Sequence, residues 1–178
     1  MQNQHWSKTK QQLEHFLCES LRHRVCFHNI RYRKAPDRRG RAFITVDKKE
    51  VFNMCTITSA RALYKKEHDI RTEQNIKYDI SDTETNRKLD DMAHEQIKTS
   101  GIFAQYEFLD AAIEFLNMPI QASLQSNHLL IKIFAVLDRR TGKRRLRRMK
   151  DLISGEHDIL QYFYRIRCEA EGITLPSQ

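Results

Sequence analysis

The sequence predicts an α+β fold: a predominantly helical single domain, residues 1–178, with one N-terminal antiparallel β-hairpin. Three observations lead there. Most apolar residues recur at intervals of three and four, the period of an amphipathic helix. One stretch, residues 25–47, instead mixes β-branched and aromatic residues with polar ones around a turn. Only five glycines and three prolines occur among 178 residues, too few for the reversals of a β-sandwich.

Each element follows from local chemistry. Over residues 7–22, Leu13, Phe16, Leu17 and Leu21 define one helical face, with Ser7 placed to cap it. Residues 25–33 and 41–47 read as strands, the second alternating Ala42, Ile44 and Val46 with Arg41, Phe43 and Thr45. Pro36, Asp37 and Gly40 supply the reversing loop between them. Asp47 followed three residues later by Glu50 has the form of a capping box, so a helix through Val51, Phe52, Met54 and Cys55 is expected, broken near Thr56–Ser59 and resuming at Ala60. The charged segment 65–98 reads as solvated helix interrupted around Asp79–Thr83. A more buried helix from Phe103 to Leu116 stops at Asn117 and Pro119. Ile120–Leu124 forms a short helix, and Leu129–Leu137, apolar nearly all round, is central to the core. Gly142 is expected to close that helix, and two more follow, the last over 156–168.

Composition narrows the function. No stretch approaches the ~18 uncharged apolar residues of a membrane helix. The first residues hold no apolar leader block, so a cytoplasmic location without membrane contact is expected. Cys18, Cys26, Cys55 and Cys168 lack paired spacing and read as reduced thiols. The net charge of +8 is unevenly placed. Residues 22–41 hold eight basic side chains against Asp37, and 139–150 hold eight with no acid, so the two segments carry +15 and the remainder −7. The molecule is bipolar, and a polyanion is the partner such clusters suit.

Three motifs carry a family resemblance: Trp6-Ser7-Lys8 opening a helix, Arg31-Tyr32-Arg33 with Gly40-Arg41 and Val46–Glu50, and the run Leu137–Leu146. Together they resemble a family of short bacterial proteins of unknown function, which implies a bacterial cytoplasmic protein of one domain. The resemblance brings no activity, cofactor or catalytic residue.

The leading candidate site is Arg139, Arg140, Lys143, Arg144, Arg145, Arg147 and Arg148, extended by Lys150. At 100° per residue, Leu146, Met149 and Ile153 fall within about 60° and the basic residues cover most of the rest. Guanidinium groups bind phosphate as a planar fork and keep their charge at physiological pH, which points to RNA or DNA backbone. The plainer reading is a solvated face with local ion pairs to Asp138, Asp151 and Glu156. Arg38 and Arg39 at the hairpin tip form a second candidate contact, while Phe27, Tyr32 and Phe43 read as core. Trp6 is expected to pack at the core edge.

No catalytic residue, cofactor or metal site is expected. Asp37 and Asp47 lie ten residues apart along one hairpin arm, too far to share a metal. His15, Glu19 and His23 make a helical row without a fourth ligand, and His23, Cys26 and His28 are similarly short. Phosphate-loop, zincin and nucleophile-elbow patterns are absent. The expected function is a non-enzymatic basic module that binds nucleic-acid backbone without base specificity. An accessory protein docking an acidic partner is the alternative, and an enzyme of unrecognised type the third.

Overall fold

The computed structural model describes residues 6–34 and 39–174. Its order is α1 (Trp6–Phe16), a 3₁₀ turn (Glu19–Leu21), β1 (Val25–Arg31), β2 (Gly40–Val46), β3 (Lys49–Cys55), α2 (Thr56–Glu73), α3 (Thr83–Thr99), α4 (Gln105–Asn117), α5 (Ile120–Gln125), α6 (Leu129–Leu137), α7 (Lys143–Ile153) and α8 (Asp158–Ala170). The expected α+β, mostly helical class is what the chain adopts.

Helix α1 stops earlier than the apolar spacing predicts. Leu17 bridges Asp138, the Cys18 N–H donates to the Leu137 carbonyl at 3.2 Å, and the Arg139 N–H donates to the Phe16 carbonyl at 2.8 Å. Tertiary pairing thus takes the backbone groups a continued helix would have used. Glu19 and His23 fall beyond the helix end, so the histidine row it would have carried does not form.

The sheet has three antiparallel strands in the order β1-β2-β3, one more than the hairpin expected from sequence. The correction falls on residues 47–55. Asp47 and Lys48 both have positive φ, 50° and 67°, the backbone of a two-residue turn whose twist matches its flanking strands. Asp47 is therefore a turn residue, and its carboxylate accepts from Arg24 Nε at 3.0 Å and Nη2 at 2.9 Å. Beyond the turn, Ile44 opposes Phe52 and Thr45 opposes Glu50, leaving Val51 as the extra residue of a bulge. Phe52 and Met54 point into the core at a spacing of two, a strand period that the apparent cap at Asp47 and Glu50 obscured. Helix α2 starts where a break was expected.

Helices α2 and α3 form an antiparallel arm with its own small core of Ile70, Leu89 and Ala93. The interruption between them spans residues 74–82, and Asp82 caps α3 by accepting from the Thr85 N–H at 3.0 Å. The main core is centred on α6, whose Leu130, Ile131, Ile133, Phe134, Val136 and Leu137 are buried. The Phe134 ring meets Phe27, Phe108 and Phe115 at 5.7, 5.6 and 5.5 Å, so sheet, α4 and α6 share one aromatic junction. Trp6 packs against Phe108 at 5.8 Å, at the edge of that junction as expected.

Gly142 does not close α6. That helix ends at Leu137, and Gly142 is the residue preceding α7. Between them, the buried Thr141 hydroxyl donates to the Ala135 carbonyl at 2.6 Å and sets the direction in which α7 leaves the core.

Candidate polyanion interface

Helix α7 docks by its apolar stripe. Leu146 and Ile153 are buried and Met149 is partly buried against the main core. Two side chains of α8 fix its base: the Tyr164 hydroxyl donates to the Leu146 carbonyl at 2.7 Å, and Arg167 Nη2 donates to the Thr141 carbonyl at 3.1 Å. The opposite side of α7 is held towards solvent by an internal frame, not by surface charge pairs.

The structure divides the predicted basic run into two parts. Arg140 belongs to the fold. Buried Asp138 accepts from its backbone N–H at 2.6 Å, from Nε at 2.9 Å and from Nη2 at 2.7 Å. The guanidinium also lies 4.1 Å above the Phe16 ring and 5.7 Å from Phe115, so it closes the seam between α1 and the α6–α7 loop. Lys143 is tied to the chain beyond α8, donating to the Glu171 carbonyl at 2.9 Å with its Nζ 3.3 Å from the Glu171 carboxylate. Burial alone would raise the Glu171 carboxyl; Arg167 and Lys143 outweigh it and hold that carboxyl below its ordinary value. Arg139 is exposed, and its Nη2 lies 2.9 Å from His15 Nε2.

Arg144, Arg147, Arg148 and Lys150 are exposed and Arg145 is half-buried. Among the described residues none of the five has a carboxylate within 4.0 Å. Of the acids that could have neutralised them, two are engaged elsewhere and the third makes no ion pair among the described residues. Asp138 holds Arg140, Glu156 pairs with Lys132, and Asp151 stands on the exposed arc of α7 itself, without a salt bridge. On a helical wheel, Arg144, Arg147 and Arg148 occupy an arc of about 100°. This arc is a convex ridge of cationic forks, a shape suited to a phosphate track and unsuited to enclosing a small substrate.

The hairpin candidate is less complete. Arg38 lies outside the described residues. Arg39 is exposed, and its carbonyl accepts from the Tyr32 N–H at 2.9 Å. Arg24 is committed to Asp47, and Arg41 pairs with Glu50 at 3.1 Å while lying 4.5 Å above the Phe43 ring. Phe27 is buried as expected of a core residue, but Phe43 and Tyr32 are only partly buried and lie outside the core, because strand alternation puts Phe43 on the outer face of the sheet, where it stacks on His28 at 4.5 Å. The hairpin end near Gly40 lies against Gln105 at the start of α4, whereas α7 lies along α8, so the two basic clusters rest on different supports.

Two concave features were not anticipated. A cleft of about 650 Å³ lies between the end of α3 and the starts of α6 and α8, where Lys98 and Lys132 face Glu95 and Glu156. Its charges balance, which makes it no part of a polyanion surface. A groove of about 540 Å³ runs beside α7, with Arg145 and Arg148 in its lining. The sequence signal for it was Leu152, an apolar residue off the buried stripe and 73% exposed. Among the described residues no group of three or more His, Cys, Asp or Glu is placed to hold a metal ion, and no helix is long and apolar enough to cross a membrane.

A family sequence profile matches residues 5–168, which contain all three motifs that carried the resemblance. The chain belongs to the SF0329 protein family. The SF0329 match runs from α1 to within α8, so the sheet, the α2–α3 arm, the basic helix and most of its α8 support lie inside the family unit. No curated protein and no solved structure matches the chain.

Proposed function

We propose that this protein is a non-enzymatic module that binds the phosphate backbone of RNA or DNA through α7, without reading base sequence, in the cytoplasm of a bacterial cell. The observation that supports the reading is the absence of acidic partners, among the described residues, for five basic side chains on one docked helix. Of the acids near the ridge, Asp138 and Glu156 hold Arg140 and Lys132, and Asp151, on the exposed arc of α7 itself, makes no salt bridge among the described residues. Binding is carried by Arg144, Arg145, Arg147, Arg148 and Lys150, with Arg139, Arg38 and Arg39 as flanking contacts. Arg140 and Lys143 are left out, because their charges already serve the fold.

The 11 residues of α7 span about 16 Å, long enough to meet three or four phosphates. At about −0.9 in log K per log salt for each phosphate neutralised, the slope on duplex DNA is about −3. Raising salt from 50 to 200 mM then weakens binding by roughly 40- to 150-fold. Fluorescence anisotropy with a labelled mixed-sequence duplex and a single-stranded RNA of the same length measures this. Equal affinity across unrelated sequences supports backbone binding. Failure to bind either probe at 50 mM salt would remove the proposal.

A second reading, an accessory protein docking an acidic partner, is favoured by one feature: the exposed Leu152 beside Arg148 on the same helix. A protein surface would cover that leucine, whereas a nucleic-acid backbone leaves it open. Under this reading nucleic acid binds weakly, and an acidic protein is retained in fixed stoichiometry.

A further inference from the structure

The groove beside α7 combines an apolar floor with unpaired cations. Leu124 of α5, Val136 of α6, Met149 of α7 and Leu160 of α8 line its interior. Arg145, Arg148 and Leu152 line it from α7, within about 60° of one another on the helical wheel. The Lys132–Glu156 ion pair belongs to the same lining, so these two charges are already mutually satisfied. Arg145 and Arg148 are not. Neither has a carboxylate within 4.0 Å among the described residues.

We propose that this groove binds a small anionic amphiphile, a molecule with a carboxylate, sulfonate or phosphate head and an aliphatic or aromatic body. The head is taken by Arg145 and Arg148, whose forks suit a planar or tetrahedral anion. The body lies on Leu124, Met149 and Leu160 and covers Leu152, which stands 73% exposed in the open groove. Size suits a small occupant: a volume of about 540 Å³ falls inside the ~300–1,000 Å³ of small-molecule sites. Half-burial of Arg145 strengthens its attraction for an anion, because the surrounding apolar atoms screen it less than water does.

This site stands apart from the nucleic-acid reading. That reading needs the ridge of Arg144 and Arg147; the groove uses the flank of Arg145, Arg148 and Leu152. Arg145 and Arg148 serve both, so variants elsewhere separate them.

The test uses the full chain and two probes, 1-anilinonaphthalene-8-sulfonate by fluorescence and dodecanoate by displacement of that dye, with uncharged dodecanol as a control. Saturable binding at one site per chain is expected, displaced by dodecanoate and at least tenfold less well by dodecanol. Arg145→Gln with Arg148→Gln weakens it about tenfold or more. Gln121→Phe, a change at an exposed residue on the α5 bank, blocks the groove and leaves the nucleic-acid affinity at its wild-type value. Because the dye also reports loosened cores, amide chemical shifts of Leu124 and Met149 are followed with dodecanoate, and they move in the wild type and stay still in Gln121→Phe. No saturable binding of either probe, or equal binding by wild type and both variants, would overturn the proposal. So would an acidic peptide shifting Leu124 and Met149 where dodecanoate does not, or binding only to anionic vesicles. Arg144→Ala with Arg147→Ala weakens nucleic acid and spares the dye, so either reading can fail alone.

Discussion

Replacing Asp138 by Ala removes a carboxylate that is 1% exposed and accepts three hydrogen bonds from Arg140. Two of those donors are guanidinium N–H groups, and charge-assisted bonds are worth about 1.5–3 kcal/mol each. Breaking a fully buried ion pair costs about 3–5 kcal/mol because the surviving charge is stranded. Here the Arg140 side chain is 33% exposed and can regain some water, which places the loss near the lower end, about 3 kcal/mol. For a chain of 178 residues that is a fall of roughly 6–12 °C in Tm. Urea unfolding followed by tryptophan fluorescence measures it directly, since Trp6 is the single tryptophan and sits against Phe108 in the core. Arg140→Ala leaves a buried carboxylate without its partner and costs a comparable amount. The double variant costs clearly less than the sum, because each single change already strands the other group. A loss below about 1 kcal/mol for Asp138→Ala, or simple additivity in the double variant, would refute the assignment of Arg140 to the fold.

Three further outcomes follow from the same structure. Leu146→Ala empties a fully buried site under α7 and costs about 2–5 kcal/mol in urea unfolding, whereas Leu152→Ala on the exposed side costs under about 0.5 kcal/mol. Burial raises the Cys55 thiol, but the Thr58 N–H, the Tyr32 hydroxyl at 3.5 Å and the Ile57 N–H outweigh it and hold it below its ordinary value, while burial pushes Cys168 up. Iodoacetamide therefore modifies Cys55 before Cys168 at pH 7.5, and Tyr32→Phe slows that reaction. Burial holds the His128 imidazole below its ordinary value of 6.5, so the unfolded chain takes up that proton first. The stability His128 contributes is present above pH 6.5 and is lost as pH falls through its lower folded value, a decline that His128→Asn flattens in thermal unfolding from pH 7.5 to 5.

The helices were legible because their signals are repeated. Leu129–Leu137 is apolar on all sides, and Leu146, Met149 and Ile153 recur at helical spacing, so no neighbour could reverse either assignment. Strand β3 was not legible because its turn, Asp47-Lys48, lacks the glycine that usually supplies positive φ, while Asp47 and Glu50 imitate a helix cap. The end of α1 at Phe16 depends on backbone pairing with Leu137 and Arg139, more than 120 residues away in the chain, and local spacing carries no trace of it. The site shows the same division. The outward placement of Arg144, Arg147 and Arg148 follows from the stripe they oppose. The loss of Arg140 to Asp138 and of Lys143 to Glu171 arises from loops that meet only in three dimensions.

Nucleic-acid binding by this protein depends on α7 presenting cations that nothing in the fold has used. The salt dependence of duplex binding by Arg144→Gln with Arg147→Gln, beside the wild type, tests this most directly. Two lost phosphate contacts should make the slope of log K against log salt shallower by about 1.8, with an unchanged urea midpoint. A slope equal to the wild type's would place the binding charges elsewhere and contradict the account.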